Sequence, residues 1–512
     1  MDNLKKLAGR LVLGRLPGLS LDDEHRRALE QGTLGGITLF KENAADINQL
    51  AKLCTDILSA SEHPPVLTVD QEGGAVQRFE HVISPLPSPM ALAAHGSLEM
   101  LRKITAISAG QLKALGFNLL LAPTLDLLNN PINPVICTRA FANNVQTVSR
   151  LGEIVIDEIQ KQGLVACSKH FPGHGCTDQD SHLELAVVPK SKAELEAYDL
   201  APFKATIKAV KSVLIGHIWL PKLITRELPA SLSSLIVTDM LRGELGFDGL
   251  IVSDDMTMKA ITRAYGLGEA CVMALEAGID LLLVCGSNAE SQQAVEAIAA
   301  AAASGRLSEH RLHESIARLD LLFGQRPVPR PLHEIIDRVA MDNRLSTACS
   351  AEAVAVLAGK IPEEFKSRRL PENLLIVVPN HPRYPLNLSR QLAEIISRPV
   401  AEKRYSLNCD DTEIANILAS IEADRPVLLL TFRAYINRGQ EALAAALMAG
   451  RPFMHIACDT PYDSDLVLSR AASGQSKPLF SLASFDPSEQ AMAGLASILT
   501  GQARPCGKNP LT

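Results

Sequence analysis

The sequence of 512 residues predicts an α/β protein: an N-terminal (β/α)8, TIM-like barrel followed by a smaller α/β sandwich domain. Three observations predict this fold. Short apolar runs alternate with longer helical stretches, polar residues stand where those runs end, and a proline-rich segment precedes a second, shorter series of the same kind. We expect the barrel at residues 1–325, a linker at 326–345 and the C-terminal sandwich at 346–512.

Eight runs in the first part are nearly continuously apolar, as parallel strands buried on both faces require. They cover residues 10–14, 36–40, 66–70, 119–126, 165–171, 213–218, 250–255 and 281–285. Segments with helical spacing lie between them, for example 46–58, 147–162 and 267–277. Glycines that favour helix termination stand before several of the next strands, namely Gly116, Gly163, Gly246 and Gly278.

An open, doubly wound sheet is the alternative arrangement of such units. The polar residues favour the barrel, because the carboxyl ends of its strands converge on one mouth, whereas an open sheet spreads them along a crevice. Six polar residues fall at the carboxyl ends of predicted strands: Asp70, Asp126, Lys169, His170, His217 and Asp254.

The second series begins after the segment from Gln325 to Pro331, whose three closely spaced prolines favour an extended linker. Residues 374–378, 427–432 and 453–458 are predicted strands, and 386–396, 412–421 and 442–448 are predicted helices. The segment has no Gly-x-Gly-x-x-Gly and no phosphate-loop motif, so a nucleotide site there has little support.

Composition excludes several classes of function. A hydrophobic content of 47% and a charged content of 21% are typical of a globular protein, and a net charge of −7 gives no reason to expect nucleic acid or an anionic membrane as a partner. No window approaches the roughly 20 apolar residues of a membrane span, and no signal-peptide pattern follows Met1. Ten scattered cysteines without Cys-x-x-Cys indicate reduced thiols, so we expect a cytoplasmic protein. The oligomeric state stays open.

The window Lys169-His170-Phe171-Pro172-Gly173-His174-Gly175, followed by Asp180-Ser181-His182, gathers titratable groups in a loop after a predicted strand. In an extended segment, side chains two residues apart lie on the same side, so Asp180 can orient the His182 imidazole. Such a pair can act as an acid/base dyad. The Gly-x-Ser-x-Gly motif of a serine hydrolase is absent.

Acids also follow two other strands. Asp254 ends an apolar run and could serve as a nucleophile, a metal ligand or an acceptor for sugar hydroxyls, while Asp255 serves the local structure. Asp70 precedes Gly73-Gly74, with Arg78 on the same loop, and Arg139 lies in the long loop after Asp126. Together these acids and bases suit a hydroxyl-rich ligand, and a sugar is the natural candidate.

A metal site is the competing interpretation of the histidines. His170, His174, His182, His217 and Asp254 could supply ligands. Pro172-Gly173 interrupts any helix that would place spaced histidines on one face, and the usual His-x-His pair on an early strand is absent. We therefore expect no metal and no other cofactor.

The motifs together resemble glycoside hydrolase family 3 and, within it, the β-N-acetylhexosaminidases. The matching segments occur in family order across about residues 65 to 260. They are Asp70-Gln71-Glu72-Gly73-Gly74 with Arg78, Asn133-Pro134-Val135-Ile136 with Arg139, the Lys169–Gly175 window, Asp180-Ser181-His182, Pro229-Ala230-Ser231-Leu232-Ser233, and Ser253-Asp254-Asp255-Met256.

The resemblance implies a retaining double displacement on terminal β-N-acetylglucosamine residues. Asp254 would be the nucleophile, His182 the acid/base and Asp180 its orienting partner. The sugar would be held by Asp70, Arg78, Arg139, Lys169 and His170. The partner would be a small carbohydrate such as a muropeptide, and the role peptidoglycan recycling. A phosphorylase, a β-glucosidase of the same family and a sugar-binding relative without catalysis are the alternatives, and the natural aglycone stays open.

Overall fold

The structure of the protein is a computed structural model, which describes residues 2–179, 184–366, 370–449, 451–472 and 477–512. The described residues up to 331 contain ten strands. They are β1 (Val12–Arg15), β2 (Gly36–Thr38), β3 (Val66–Val69), β4 (Leu119–Leu120), β5 (Val165–Phe171), β6 (Ala186–Val187), β7 (Ser212–Ile215), β8 (Ile218–Trp219), β9 (Leu250–Asp255) and β10 (Leu281–Leu283).

Eight of these strands close into a parallel barrel in the order β1-β2-β3-β4-β5-β7-β9-β10. Closure is shown by β1, which pairs on one side with β2, Leu13 facing Gly36, and on the other with β10, Val12 facing Leu282. The predicted barrel is therefore confirmed, and the open sheet is wrong. Strands β2, β3, β5 and β7 are buried along their whole length, because helices cover the outer face and side chains fill the interior.

Several predicted strands end earlier than expected, and two of them show why. Only Leu119–Leu120 of the run 119–126 is a strand, since Pro123 has no N–H for the ladder; further on, the Leu125 N–H donates to the Lys169 carbonyl at 2.7 Å. The run 213–218 divides after Ile215, and its continuation β8 pairs with β6 in a separate two-stranded sheet. Both breaks lie at the carboxyl end of the barrel, where the chain leaves the ladder for the loops.

Helices cover the outside of the barrel. In chain order they are α1 (Asp2–Gly9), α2 (Asp23–Glu30), α3 (Ile47–Ala60), α4 (Pro89–His95), α5 (Leu98–Leu115), α6 (Val145–Lys161), α7 (Lys192–Ala197), α8 (Ala201–Thr206), α9 (Lys259–Thr262), α10 (Leu267–Ala277), α11 (Asn288–Ala303), α12 (Glu309–Phe323) and α13 (Leu332–Ala353). Their ends follow local chemistry. Asp46 accepts the backbone N–H groups of Asn48 and Gln49 at the start of α3, and Gly278 ends α10 at φ +112°, a left-handed conformation that suits glycine.

The second domain is a six-stranded sheet between helices. Its elements are β11 (Ala355–Gly359), α14 (Glu363–Lys366), β12 (Leu375–Asn380), α15 (Leu388–Ile396), β13 (Ala401–Ser406), α16 (Asp411–Ala419), β14 (Val427–Thr431), α17 (Gly439–Met448), β15 (Phe453–Ala457), α18 (Tyr462–Ala472), β16 (Phe480–Ala483) and α19 (Glu489–Leu499). The strand order is β11-β16-β15-β14-β12-β13, with only β11 antiparallel to its neighbour. The predicted sandwich is confirmed, with three strands beyond those expected: β11, β13 and β16.

The barrel and the second domain pack against each other. Helix α13 lies against α4 and α5 of the barrel and against α19 of the second domain. A buried apolar cluster includes Met90 and Leu128 from the barrel with Ala457 and Phe485 from the second sheet. The carboxyl ends of the second sheet therefore face the barrel. The division at residues 325 and 346 stays a prediction.

Among the residues that the structure describes, every helix is too short or too polar to cross a membrane.

Candidate active site

A cavity of about 510 Å³ opens at the carboxyl ends of the barrel strands. Its wall brings together six of the eight residues that the sequence indicates for the site: Asp70, Arg78, Arg139, Lys169, His170 and Asp254. The other two, Asp180 and His182, lie outside the described residues. The mouth is therefore where the barrel topology predicts it, and side chains from β3, β5, β9 and the loop after β4 meet there.

Glu72 is a buried acid that links two cations of the cavity wall. Its carboxylate, 1% exposed, accepts the Lys169 ammonium at 2.6 Å and two N–H groups of the Arg139 guanidinium at 2.9 and 2.8 Å. Thr124 donates its hydroxyl to the same carboxylate at 3.1 Å. The bidentate contact fixes the plane of the guanidinium, and the ammonium fixes the carboxylate from a third direction.

Asp70 extends this network toward the opening. Lys169 Nζ lies 2.6 Å from Asp70 Oδ1, and Arg78 reaches Asp70 Oδ2 at 3.4 Å. Lys169 is 2% exposed, whereas Asp70 is 21% exposed. Lys169 therefore holds two carboxylates in place, while Asp70 keeps part of its surface available to a ligand.

The electrostatics of this network keep Glu72, Asp70, Lys169 and Arg139 ionised. Burial alone raises the pKa of Glu72 and of Asp70, but the neighbouring cations outweigh it, so that both pKa values lie below the ordinary range. Burial likewise lowers the pKa of Lys169 and of Arg139, but the facing carboxylates outweigh it and both pKa values are raised. Fixed charges in a poorly solvated cavity interact strongly with the hydroxyl dipoles of a ligand.

Both ring nitrogens of His170 have close partners. Its Nδ1 lies 2.7 Å from Asp126 Oδ2, and its Nε2 lies 3.2 Å from Arg139 NH2. A guanidinium can only donate, so Nε2 accepts and the proton is on Nδ1, pointing at Asp126. Burial raises the pKa of Asp126, but the contacts with His170 and with the His174 backbone N–H outweigh it and the pKa is lowered.

His174 serves the same loop from within. Its Nδ1 lies 2.8 Å from the Thr177 hydroxyl, its carbonyl accepts from the Asn133 side chain at 2.9 Å, and burial lowers its pKa to about 4. It is therefore neutral at physiological pH. These bonds join the Lys169–Gly175 window to the loop that carries Arg139.

The two adjacent acids on β9 have different surroundings. Asp255 Oδ1 accepts from the backbone N–H groups of Thr257 at 3.0 Å and Cys285 at 2.9 Å, and the Thr257 hydroxyl also donates to it. Burial raises the pKa of Asp255. Asp254 accepts the Asp255 N–H at 2.9 Å and lines the cavity. Asp255 thus fixes the turn after the strand, which places Asp254 at the cavity wall.

His217, a candidate metal ligand by sequence, is used structurally. Its Nδ1 lies 2.7 Å from the Ser231 hydroxyl, and its Nε2 lies 3.0 Å from the Asp255 carbonyl, to which it can only donate. Within the described part of the chain, no three His, Cys, Asp or Glu side chains are grouped as a metal site would require.

The second domain supports the loop after β4. The Arg433 guanidinium pairs with Asp459 at 2.7 Å and donates to the Pro134 carbonyl at 3.2 Å. Pro134 and Val135 line the cavity, and the loop continues to Arg139. The second sheet is therefore connected to the substrate cavity through its carboxyl-end loops.

The central position of Glu72 in this network was not predicted from the sequence, where Glu72 stands only as part of the Asp70–Gly74 motif. The available signal was charge balance: a buried lysine at a strand end and a buried arginine in the neighbouring loop need a buried acid between them.

Residues 6–322, more than half of the chain, match the profile of the glycosyl hydrolase family 3 N-terminal domain. A protein of Tolumonas auensis named β-hexosaminidase is 37% identical over 286 residues, which are 55% of this chain and 84% of the relative.

Two solved structures extend the similarity. A family 3 β-N-acetylglucosaminidase from Paenibacillus sp. str. FPU-7 superimposes with a TM-score of 0.85 at 30% identity, covering 99% of this chain and 98% of the other. NagZ from Neisseria gonorrhoeae, in complex with N-trifluoroacetyl-D-glucosamine, superimposes with a TM-score of 0.56 at 29% identity, covering 66% of this chain and 98% of the other. With the barrel and its acid-lined mouth, these similarities show that the chain belongs to glycosyl hydrolase family 3 and is a glycoside hydrolase.

Proposed function

We propose that this protein is an exo-acting, retaining β-N-acetylglucosaminidase that removes terminal, non-reducing N-acetylglucosamine. The observation that carries the proposal is the cavity in which Asp254 stands in one wall with Asp70, Arg139, Lys169 and His170. A carboxylate beside a preformed set of hydroxyl-binding charges is what a glycosyl-enzyme mechanism requires. The names of the similar β-hexosaminidase and β-N-acetylglucosaminidases support the choice of sugar.

In the proposed mechanism Asp254 attacks the anomeric carbon and forms a glycosyl ester. His182, oriented by Asp180, donates a proton to the leaving oxygen and then takes one from the incoming water. Asp70, Arg78, Arg139, Lys169 and His170 hold the sugar. The His170 Nε2 is already engaged with Arg139, so we assign His170 to positioning that guanidinium and to contact with the sugar through its ring edge.

The finer proposals concern substrate and location. We propose that the natural substrate is a muropeptide-type glycoside and that the enzyme acts in peptidoglycan recycling. All ten cysteines are free thiols in the structure, which supports a reducing, cytoplasmic location.

Product analysis tests the proposal. With 4-nitrophenyl β-N-acetylglucosaminide, we expect free N-acetylglucosamine at the same rate with and without inorganic phosphate. Formation of a sugar 1-phosphate that depends on phosphate would show a phosphorylase. That activity is the main alternative because a histidine acid/base carries no negative charge that would repel phosphate as the acceptor. Faster cleavage of the matched β-glucoside would show a β-glucosidase, and no turnover with tight sugar binding would show a binding protein.

A further inference from the structure

Arg383, from the second domain, lines the barrel cavity. It follows β12, and its guanidinium crosses the domain boundary to donate to the Ala75 carbonyl on the β3 loop at 2.6 Å. The same guanidinium lies 5.4 Å from the centre of the Tyr384 ring. These contacts hold an exposed arginine at the cavity, beside Val76, which also lines it.

The other cations of the cavity wall are neutralised by acids. Arg15 pairs with Glu42, Arg78 with Asp70, Arg139 with Glu72, and Lys169 with both Asp70 and Glu72. Within the part of the chain that the structure describes, Arg383 has a backbone carbonyl and no carboxylate as its partner. Its guanidinium therefore brings an uncompensated positive charge to the cavity, with N–H donors left for a ligand.

The exposure of the lining residues distinguishes the closed end of the cavity from its opening. Lys169 and Arg139 are buried, whereas Arg383 is exposed. In an exo-acting enzyme the terminal sugar occupies the closed end, and the rest of the substrate leaves through the opening. The exposed guanidinium is thus on the path of the aglycone and away from the sugar-binding network.

We infer that Arg383 is a specificity-determining residue that selects glycosides whose aglycone carries a free carboxylate near the scissile bond, so that among muropeptide-type glycosides those whose lactyl carboxyl is not amide-linked to a peptide are preferred. The inference rests on the proposed N-acetylglucosaminidase activity and assigns the second domain a direct part in choosing the substrate. A guanidinium binds a carboxylate through two parallel N–H donors, a geometry that a neutral amide cannot match.

Two disaccharides test this. Both have N-acetylglucosamine β-1,4-linked to N-acetylmuramic acid; one keeps the lactyl carboxylate and the other has it converted to the carboxamide. The scissile bond is the same, so the ratio of kcat/KM values isolates the charge. For the wild type we expect the acid to be preferred about fivefold at low salt, the upper range for an exposed ion pair.

Arg383→Gln is expected to bring that ratio to about one, and Arg383→Lys to leave it in between, because a lysine keeps the charge without the fork. Raising the salt to about 1 M should remove the wild-type preference, since the Debye length falls to roughly 3 Å. Arg438→Gln is the control: Arg438 is an exposed arginine of the same domain that pairs with Glu441 and is absent from the cavity wall, so the ratio should stay near fivefold.

Equal ratios in the wild type and Arg383→Gln, or a wild-type ratio near one, would overturn the inference while leaving the activity itself established. No release of N-acetylglucosamine from either disaccharide or from the nitrophenyl glycoside would overturn the proposed function and the inference with it.

Discussion

Removing the charge of Glu72 should destabilise the barrel more than removing any surface carboxylate. In Glu72→Gln the amide keeps the size of the side chain, but Lys169 and Arg139 lose the anion that lies 2.6 to 2.9 Å from them. Breaking a buried ion pair by removing one partner costs about 3–5 kcal/mol, since the remaining charge stays buried without compensation. Asp70 compensates Lys169 in part, so we expect the loss in unfolding free energy at the lower end of this range.

Denaturant unfolding followed by tryptophan emission measures this loss. Trp219, the only tryptophan of the chain, lies in β8 of the barrel domain and donates to the Ile224 carbonyl, so its emission reports that domain. The control is Glu62→Gln, which breaks an exposed pair with Lys6 and should change the unfolding free energy little, because solvent screens such a pair. Similar losses in the two variants would refute the reasoning.

The pH dependence gives a second measurement on the same variant. The folded-state pKa of Glu72 is lowered, so its contribution is present above the ordinary value of 4.5 and is lost as the pH falls toward the folded pKa. Wild-type stability should therefore fall in acid more steeply than that of Glu72→Gln. In the double variant Glu72→Gln/Lys169→Met the loss should be smaller than the sum of the single losses, because the uncompensated ammonium is gone as well. Additive losses would contradict a charge-compensation role.

Two further predictions concern the chemistry. His182→Ala should lower kcat/KM far more for a disaccharide than for a nitrophenyl glycoside, because an alkoxide needs protonation to leave and a nitrophenolate hardly does; Asp180→Asn should show a weaker form of the same pattern, and equal losses on both substrates would show that His182 is not the acid. Prolonged chelation should leave activity unchanged, with no stoichiometric zinc in elemental analysis; loss of activity that one divalent ion restores would contradict the metal-free mechanism.

The barrel could be predicted because its signals are local and strong. Continuous apolar runs such as Leu250-Ile251-Val252 are what a strand buried on both faces requires, and the acids beyond them mark the mouth. The second sheet was predicted only in part. Its strand β13, Ala401–Ser406, lies at the edge of the sheet and is largely exposed, so its residues are polar and give no apolar run.

The candidate site, like the fold, could be predicted only in part. The position of Asp254 and Asp70 at the cavity could be predicted because each stands at the carboxyl end of a strand, which is a feature of sequence position. The role of Glu72 depends on two cations that are distant in sequence and meet it only when the barrel closes: Lys169 is 97 residues away and Arg139 is 67 residues away. The contribution of Arg383 could not be predicted either, since it depends on how the second domain packs against the loop after β3.

The central claim is that Asp254 is the nucleophile. Asp254→Asn should lose several orders of magnitude in turnover, on the order of 5 kcal/mol or more of barrier, because an amide cannot form the glycosyl ester. Asp255→Asn, its neighbour, should retain the chemistry and lose stability through the turn that it holds with Thr257.

The most direct measurement is to trap the glycosyl-enzyme with 5-fluoro-N-acetylglucosaminyl fluoride and to locate the added mass by peptide mass spectrometry. We predict one sugar per chain, esterified to Asp254, in the wild type and in Asp255→Asn, and no label in Asp254→Asn. A label on any other residue, or an Asp254→Asn variant that is labelled as fast as the wild type, would contradict the account.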